Sequence, residues 1–257
     1  MITHMNEGYV NSELHNGIRT IEFFHPQSNS LPGKILEELT KEIHAAGNDE
    51  DTIVVVLRSA GEKAFCAGAS FDELTAIKNE NQGLQFFCGF AHVINAMRIC
   101  PKFIIGRIHG KCVGGGVGLA AAVDYAIARD GADIKLSELA LGIGPFVVGP
   151  AVERKIGSSA FSQLAIDATM WRHADWARGK GLYAELHPGT ESMDESISRL
   201  ANSLMHFSPK AMAEMKSVLW KGTEHWQELL IQRAGISGRL VLSDFTRRAI
   251  ENFRKKD

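Results

Sequence analysis

Glycine residues are concentrated at one point of the chain, where a β-branched segment at 103–108 leads into an alanine-rich segment. The cluster consists of Gly114, Gly115, Gly116 and Gly118. A glycine at a strand-to-helix turn lets other groups approach the backbone N–H groups, because no Cβ stands in the way. The first N–H groups of a helix also lack an internal acceptor and lie at its positive end. The turn therefore suits an anion, or a carbonyl oxygen that becomes negative during a reaction; the alternative is a turn that only packs a helix on a sheet.

A second candidate is Glu138, a single carboxylate within the otherwise apolar stretch from Leu136 to Leu141. If the side chain is buried, desolvation raises its pKa toward the range that is useful for proton transfer. The alternative is an exposed glutamate in a loop.

The glycine cluster matches the known nucleotide-binding motifs poorly. The spacing from Gly116 to Ala121 matches G-x-G-x-x-A after a strand, but a dinucleotide site needs an acidic residue at the end of the next strand, roughly 20 residues on. Asp130 comes too early, and Glu138 lies beyond a further extended segment. No G-K-[ST] follows the glycines, so a Walker A phosphate loop is excluded.

Metal binding and thiol catalysis also lack support. The four cysteines contain no C-x-x-C pair, and the ten histidines never occur at metal-ligand spacing, so we expect no metal site. Cys66, between Phe65 and Ala67, is expected to be a small core residue rather than a nucleophile.

The elements around these residues predict an α/β protein. Strands and helices alternate up to about Leu186, whereas the segments after Ser192 are helical only, so we expect a boundary near residue 190. Asn16-Gly17 between two alternating segments predicts a β-hairpin with a primed turn. The apolar run 52–57 predicts a strand covered on both faces. The predicted strands are 9–14, 18–24, 52–57, 64–69, 103–108 and 125–128. The predicted helices are 33–46, 84–99, 116–122, 147–156, 159–168, 175–180, 194–205, 209–219, 224–241 and 244–255. A further helix is predicted to begin just after Ala69, because residues 70–73 have the spacing of a capping box.

Bulk composition limits the classes of function. The chain has 257 residues, an apolar content of 45% and a formal charge of −2, which gives no electrostatic basis for binding nucleic acid. No apolar run reaches the length of a membrane span, and the residues from Met1 to Glu7 show no secretory signal. We therefore expect a cytoplasmic protein with no membrane association.

Three motifs in order carry a family resemblance that covers nearly the whole chain. They are Ala64-Phe-Cys-Ala-Gly-Ala69, the Gly114-Gly-Gly116 turn and Ser137-Glu-Leu-Ala-Leu-Gly142. Together they resemble the crotonase superfamily, the enoyl-CoA hydratase/isomerase family. The resemblance implies a spiral of repeated ββα units over 1–190 and a helical C-terminal trimerisation region over 191–257. It also implies a homotrimer or a dimer of trimers that acts on an acyl-CoA substrate, with no cofactor other than the coenzyme A of that substrate.

The resemblance also implies the site. The backbone N–H groups of Ala69 and Gly115 are expected to hold the thioester oxygen of an enolate. In relatives the segment Ala67-Gly68-Ala69 borders the adenine pocket, and the loop near Pro26 helps to cover the coenzyme A. Gly114 is included in the expected site because it belongs to the same turn as Gly115. No residue is assigned to the phosphates. Aromatic and aliphatic side chains between 71 and 90 either line the acyl pocket or belong to the core: Phe71, Leu74, Ile77, Phe86, Phe87 and Phe90.

One position departs from the typical hydratase of the family. Hydratases usually carry a glutamate two residues after the glycine triplet, which is Gly118 here, and a second one at the position of Glu138. A single carboxylate can still move a proton from C2 to C4 of a 3-enoyl thioester, so the sequence favours an isomerase that acts through Glu138. The main alternatives are a hydratase whose water is held by another residue, and a non-catalytic acyl-CoA binder or assembly protein. Dehydration, decarboxylation of a branched acyl-CoA and an acyl-carrier-protein substrate also stay open. An RNA-binding role would need a lysine-rich helix, and the acidic residues around Lys34 and Lys41 argue against it.

Overall fold

The computed structural model describes residues 8–254, without the side chains of residues 253 and 254. The segment 1–7 and the last residue of the predicted helix 244–255 lie outside the described residues. The described residues form eleven strands, β1 to β11, and ten α-helices, α1 to α10. The strands are Tyr9–His15, Ile18–Phe24, Ser30–Leu31, Val54–Ser59, Ala64–Cys66, Gly68–Ala69, Phe103–Ile108, Lys111–Val113, Tyr125–Arg129, Ile134–Lys135 and Glu185–His187. The helices are Gly33–Asn48, Phe71–Ala76, Glu80–Ile99, Gly115–Ala122, Gly149–Ile166, Ala174–Gly179, Thr190–Leu204, Pro209–Leu219, Trp226–Leu240 and Asp244–Arg254.

The main sheet has six strands in the order β1-β2-β4-β7-β9-β11. Its first two strands form the predicted antiparallel hairpin, and the remaining pairs are parallel. Asn16 and Gly17 both have positive φ, 48° and 78°, as a type I′ turn requires. The hairpin prediction and its primed turn are confirmed.

Both faces of β4 are covered, as its apolar composition predicts. Val55 and Leu57 point into the larger core with α1 and α3, whereas Val54 and Val56 pack in a second cluster beneath α7. Alternate residues of a strand face opposite sides, so a strand with helices on both sides must be apolar throughout. The C-terminal helical region thus begins with a helix, α7, that forms one layer of the α/β core.

Two small sheets lie beside the main one, with the orders β10-β8-β5 and β3-β6. The single strand predicted at 64–69 is divided into β5 and β6, because Gly68 has a φ of 95° and Ala67 donates its N–H to Asn29 O instead of continuing the ladder. Strand β3 lies in the short segment between Pro26 and Pro32. These small sheets gather the ends of β6, β8 and β10 at one point.

Two details of the helices bear on the sequence predictions. The segments 147–156 and 159–168 are two helical parts of α5, separated as predicted by non-helical backbone at Gly157, with a φ of 76° and a ψ of 160°. Ser70 caps α2 through its hydroxyl, which accepts the N–H of Glu73 at 3.3 Å. The side chain of Glu73, however, binds the N–H of Gly33 at 2.9 Å, so the reciprocal half of the predicted capping box is wrong.

Helices α3 and α9 make a very close contact. A Cβ on Gly83 would lie 2.7 Å from the Cα of Gly238, so the two backbones touch where both residues lack a side chain. The following helix, α10, lies against the turn that begins at Glu138. The C-terminal helices therefore complete the surroundings of the predicted site.

Candidate active site

A cavity of about 1010 Å³ opens where the ends of β6, β8 and β10 converge. Its wall includes the predicted site residues Ala67, Gly68, Ala69, Gly114, Gly115 and Glu138. A cavity of this size that joins a few polar groups to a large apolar wall has the features of a ligand site. The three motifs of the sequence therefore meet around one space.

The glycine turn presents the start of a helix to this cavity. Gly114 has a φ of 52° and a ψ of −113°, which residues with a Cβ rarely adopt, and α4 begins at Gly115, one residue before the predicted start. As the first residue of the helix, Gly115 has no intrahelical acceptor for its N–H. A Cβ on Gly115 would lie 2.3 Å from the ring of Phe90, so a larger residue here would need this ring to move.

The second predicted oxyanion segment lies directly beside the glycine turn. A Cβ on Gly68 would lie 3.6 Å from the backbone N of Gly115. Ser30 fixes the segment, because its hydroxyl donates to Ala69 O at 2.8 Å. The backbones that carry the predicted donors, Ala69 and Gly115, are thus held together before any ligand binds.

Glu138 directs its carboxylate at the glycine turn. A Cβ on Gly114 would lie 2.9 Å from Glu138 Oε1, and Oε2 is excluded from solvent without a hydrogen-bond partner. Burial raises the pKa of Glu138 to about 7, partly opposed by a hydrogen bond from its own backbone N–H. The residue begins a 3₁₀ turn, Glu138–Leu141. A carboxyl group with one oxygen that is excluded from solvent and unpaired can accept and return a proton near neutral pH.

The position of the missing second acid is filled by apolar side chains. Gly118 is buried in α4, and a Cβ there would lie 2.5 Å from Val148 Cγ1 and 3.6 Å from Ile94 Cδ1. A side chain at this position would need Val148 to move. The packing therefore leaves Glu138 without a second carboxylate from α4.

Some residues that the sequence assigns to the site lie outside the cavity wall, and some residues of the wall were not predicted from the sequence. Pro26 is exposed and does not line the cavity, although the neighbouring Gln27 does. Five of the six candidate acyl-pocket residues belong to the wall, and Ile77 does not. Sequence reasoning missed Lys135, Val148, Ser237 and Asn252, which also line the cavity. Lys135 ends a strand of two residues, which is too short to give an alternating pattern.

Other catalytic chemistries find no support among the described residues. Cys66 is buried, and burial raises the pKa of its thiol to about 12, so the thiolate needed for nucleophilic attack is disfavoured. No group of three or more His, Cys, Asp or Glu side chains within residues 8–254 could hold a metal ion. No helix in this part of the chain is long and apolar enough to cross a membrane.

The fold belongs to a known class. The crystal structure of an enoyl-CoA hydratase from Bacillus halodurans superimposes with a TM-score of 0.87 at 21% identity, covering 95% of this chain and 99% of that chain. This is the α/β fold of crotonase-type enzymes, in agreement with the fold predicted from the motifs.

Sequence comparisons identify the family. The family model described as enoyl-CoA hydratase/isomerase matches residues 13–246. A short-chain-enoyl-CoA hydratase of Clostridium acetobutylicum is 29% identical over 197 residues, which are 76% of this chain and 74% of the relative. A peroxisomal Delta(3,5)-Delta(2,4)-dienoyl-CoA isomerase of Arabidopsis thaliana is 26% identical over 211 residues, again 76% and 74%. The chain belongs to the enoyl-CoA hydratase/isomerase family and is a crotonase-type enzyme.

Proposed function

We propose that the chain is an acyl-CoA isomerase that converts 3-enoyl-CoA thioesters into 2-enoyl-CoA thioesters. Glu138 removes a proton from C2, and the electrons move onto the thioester oxygen to form an enolate. The N–H groups of Ala69 and Gly115 bind this oxygen. Glu138 then returns the proton to C4 as the double bond moves to C2=C3, so no water is consumed and one carboxyl group is sufficient.

The observation that carries this proposal is the single buried carboxylate at the glycine turn. Burial and the lack of a hydrogen-bond partner for Oε2 of Glu138 give it a pKa near neutrality, which suits a group that must both accept and donate a proton. Val148 and Ile94 occupy the space beside Gly118, where the typical hydratase has its other glutamate. These features favour proton relocation over the addition of water.

A hydratase is the second candidate, and the name of the relative from Clostridium acetobutylicum supports it. In that case a residue other than one on α4 holds the attacking water. A non-catalytic acyl-CoA binder is the third candidate, since a site that lacks one acid can also have lost its chemistry.

The three candidates are separated by assays of the purified protein with 3-hexenoyl-CoA and 2-hexenoyl-CoA. An isomerase moves the double bond of the first substrate and hydrates the second only slowly. Fast hydration without double-bond migration would contradict the isomerase proposal, and binding without turnover of either thioester would support the binder.

Glu138→Gln tests the proton carrier, with Glu50→Gln on the exposed surface as a matched control. The first variant is expected to lose about 10²–10⁴ in kcat, the usual contribution of a positioned acid–base group, whereas the second keeps full activity. If Glu138→Gln were fully active, Glu138 would have no part in the mechanism.

We also propose that the chain forms a homotrimer or a dimer of trimers through its C-terminal helices. Helix α8 supports this proposal, because Met215, Val218 and Leu219 are exposed on it although they are apolar. Light scattering coupled to size-exclusion chromatography tests it, and a mass of one chain at micromolar concentration would refute it.

A further inference from the structure

Two lysine side chains share the ring of one tryptophan beside the cavity. The Nζ atoms of Lys111 and Lys135 lie 4.8 Å and 5.7 Å from the ring centroid of Trp171. Lys135 is part of the cavity wall, and Trp171 is 36% exposed. The electron-rich face of an indole attracts cations, but two ammonium groups near one ring repel each other. An anion placed between them would remove that repulsion.

The fold brings the three side chains to one edge of the small sheet. Lys111 begins β8 and Lys135 ends the adjacent parallel strand β10, where it pairs with Val113. Since Lys111 and Val113 are two residues apart, both lysines project from the same face of the sheet. Trp171 follows α5 in the segment that also contributes Thr169 to the cavity wall.

That segment is fixed to β10 by the backbone. Arg172 and Ile134 exchange two hydrogen bonds, of 2.8 Å and 2.9 Å. The tryptophan is therefore held beside the lysines by the chain itself, and the arrangement exists without a ligand.

Two carboxylates close to Trp171 in the chain or the sheet, Asp133 and Asp167, are engaged with other groups. Asp133 accepts the N–H of Ala174 at 3.1 Å and lies 3.4 Å from His173, and Asp167 pairs with Arg172 at 3.0 Å. Within residues 8–254 the structure contains no ion pair that involves either Lys111 or Lys135. Their positive charges are thus available to a ligand.

We propose that Lys111, Lys135 and Trp171 bind an anionic group of the acyl thioester, and we name these residues the Lys–Trp site. The identity of the ligand rests on the proposed function. The anionic group has two possible sources, a phosphate of the nucleotide part of the thioester or a carboxylate at the far end of its acyl group. Both present oxygens that accept charge-assisted hydrogen bonds from lysine.

The test is calorimetric binding of three probes to the full chain: hexanoyl-CoA, S-hexanoylpantetheine, which lacks phosphates, and adipoyl-CoA, which adds a terminal carboxylate. The variant is the double substitution Lys111→Gln/Lys135→Gln. The matched control is Lys180→Gln/Lys210→Gln, which removes the same charge from exposed lysines outside the cavity wall.

If the site binds phosphate, the double variant binds both coenzyme A thioesters about tenfold more weakly and binds the pantetheine thioester unchanged. If the site binds the acyl carboxylate, only adipoyl-CoA loses about tenfold. In both cases the affinity difference between wild type and variant decreases at high salt, as expected for exposed charges. The control binds all three probes like the wild type.

The Lys–Trp site would be overturned if the double variant and the control bound all three probes with equal affinity. It would also be overturned if the double variant lost the same affinity for all three probes, or if the wild type bound none of them. Turnover of 3-hexenoyl-CoA by the same proteins separates this inference from the proposed function. Lysine-dependent binding without turnover refutes the isomerase alone, whereas turnover with lysine-independent binding refutes the Lys–Trp site alone.

Discussion

Glu138 illustrates how a local sequence motif and its tertiary surroundings together define a chemical group. The motif Ser137-Glu-Leu-Ala-Leu-Gly142 marks the glutamate, but its pKa depends on the surroundings that the glycine turn and helices α5 and α10 provide. The sequence alone does not decide whether this side chain is buried or exposed. In the structure the residue is half-buried as a whole, and its Oε2 is excluded from solvent.

The raised pKa of Glu138 predicts the pH dependence of isomerisation. The carboxyl group must be ionised to remove the C2 proton, and a pKa of about 7 means that it is mostly ionised above pH 7 and protonated below. We therefore expect kcat/KM for 3-hexenoyl-CoA to fall about tenfold per pH unit below pH 7 and to level off above it. Initial rates between pH 5 and pH 8.5 measure this profile; a rate that is constant from pH 5 upward would contradict it.

The packing at Gly118 predicts a stability cost for even the smallest added side chain. In Gly118→Ala the new Cβ would lie 2.5 Å from Val148 Cγ1, so we expect a loss of about 1–3 kcal/mol in the free energy of unfolding. Gly179→Ala is the matched control, because nothing lies within 4 Å of its Cβ position. Urea titration measures both variants. A cost of Gly118→Ala that is just as large in a Val148→Gly background, where both Cγ1 and the Cβ at 2.8 Å are removed, would show that this contact is not its cause.

The partner of Gly118 could not be predicted from the sequence. The glycine itself is conspicuous two residues after the triplet, but Val148 is distant in the chain and carries no motif. Ala69 and Gly115, by contrast, lie within motifs whose order and residue types are specific. Residues that form a motif were therefore predicted, and residues that only fill space around the motif were not.

At the level of the elements, the N-terminus of α2 follows directly on Ala69. Ser70 caps this helix with a 3.3 Å hydrogen bond from Glu73 N, and Ser208 caps the distant helix α8 with the same distance from Ala211 N. We expect Ser70→Ala and Ser208→Ala each to lose about 1 kcal/mol of unfolding free energy.

The two capping variants should differ in activity. Because Ser70 fixes the backbone next to a predicted oxyanion donor, Ser70→Ala should lower kcat several-fold, whereas Ser208→Ala leaves kcat unchanged. Urea titration and steady-state kinetics on both variants measure the two effects. Equal kcat values would show that the cap stabilises α2 without positioning Ala69.

The long elements could be predicted because their patterns repeat over several turns or alternations. The hairpin, β4, β7 and the helices all follow from periodicity and from turn residues such as Asn16-Gly17. Among the short strands that position the site, β5 and β6 lie within the predicted strand 64–69, whereas β8 and β10 could not be predicted, because so short a segment has no period. The break at Gly157 was predicted as a gap between two helices, which its positive φ explains.

For the molecule as a whole, Asp124 connects the start of β9 to one earlier element and two later elements. Its Oδ2 accepts the N–H of Ile104 at 2.8 Å and lies 2.8 Å from Lys216 Nζ, and its Oδ1 accepts Trp220 Nε1 at 2.9 Å. The side chain of Lys155 donates to the backbone oxygen of Asp124 at 3.0 Å. The start of β9 is thereby tied to β7, α5 and α8.

Removing the charge of Asp124 should destabilise the entire fold. In Asp124→Asn the buried ammonium group of Lys216 loses its counter-charge, which typically costs about 3–5 kcal/mol when the pair is buried. The matched control is Asp130→Asn, an exposed residue that should change stability by less than about 0.5 kcal/mol. Urea unfolding measures both. If the two variants were equally stable, the ion pair would contribute nothing to the fold.

The contact between Gly83 and Gly238 bears on the order in which the site is assembled during synthesis. Ala69, Gly115 and Glu138 all leave the ribosome before α9 and α10, yet Ser237, Ala249 and Asn252 from these two helices line the same cavity. Helix α3 must therefore wait for its partner α9, and this contact between distant segments is of the kind that forms slowly. A nascent chain that already contains every proposed catalytic residue would still lack a closed cavity, so binding of a thioester would mark the last step of folding.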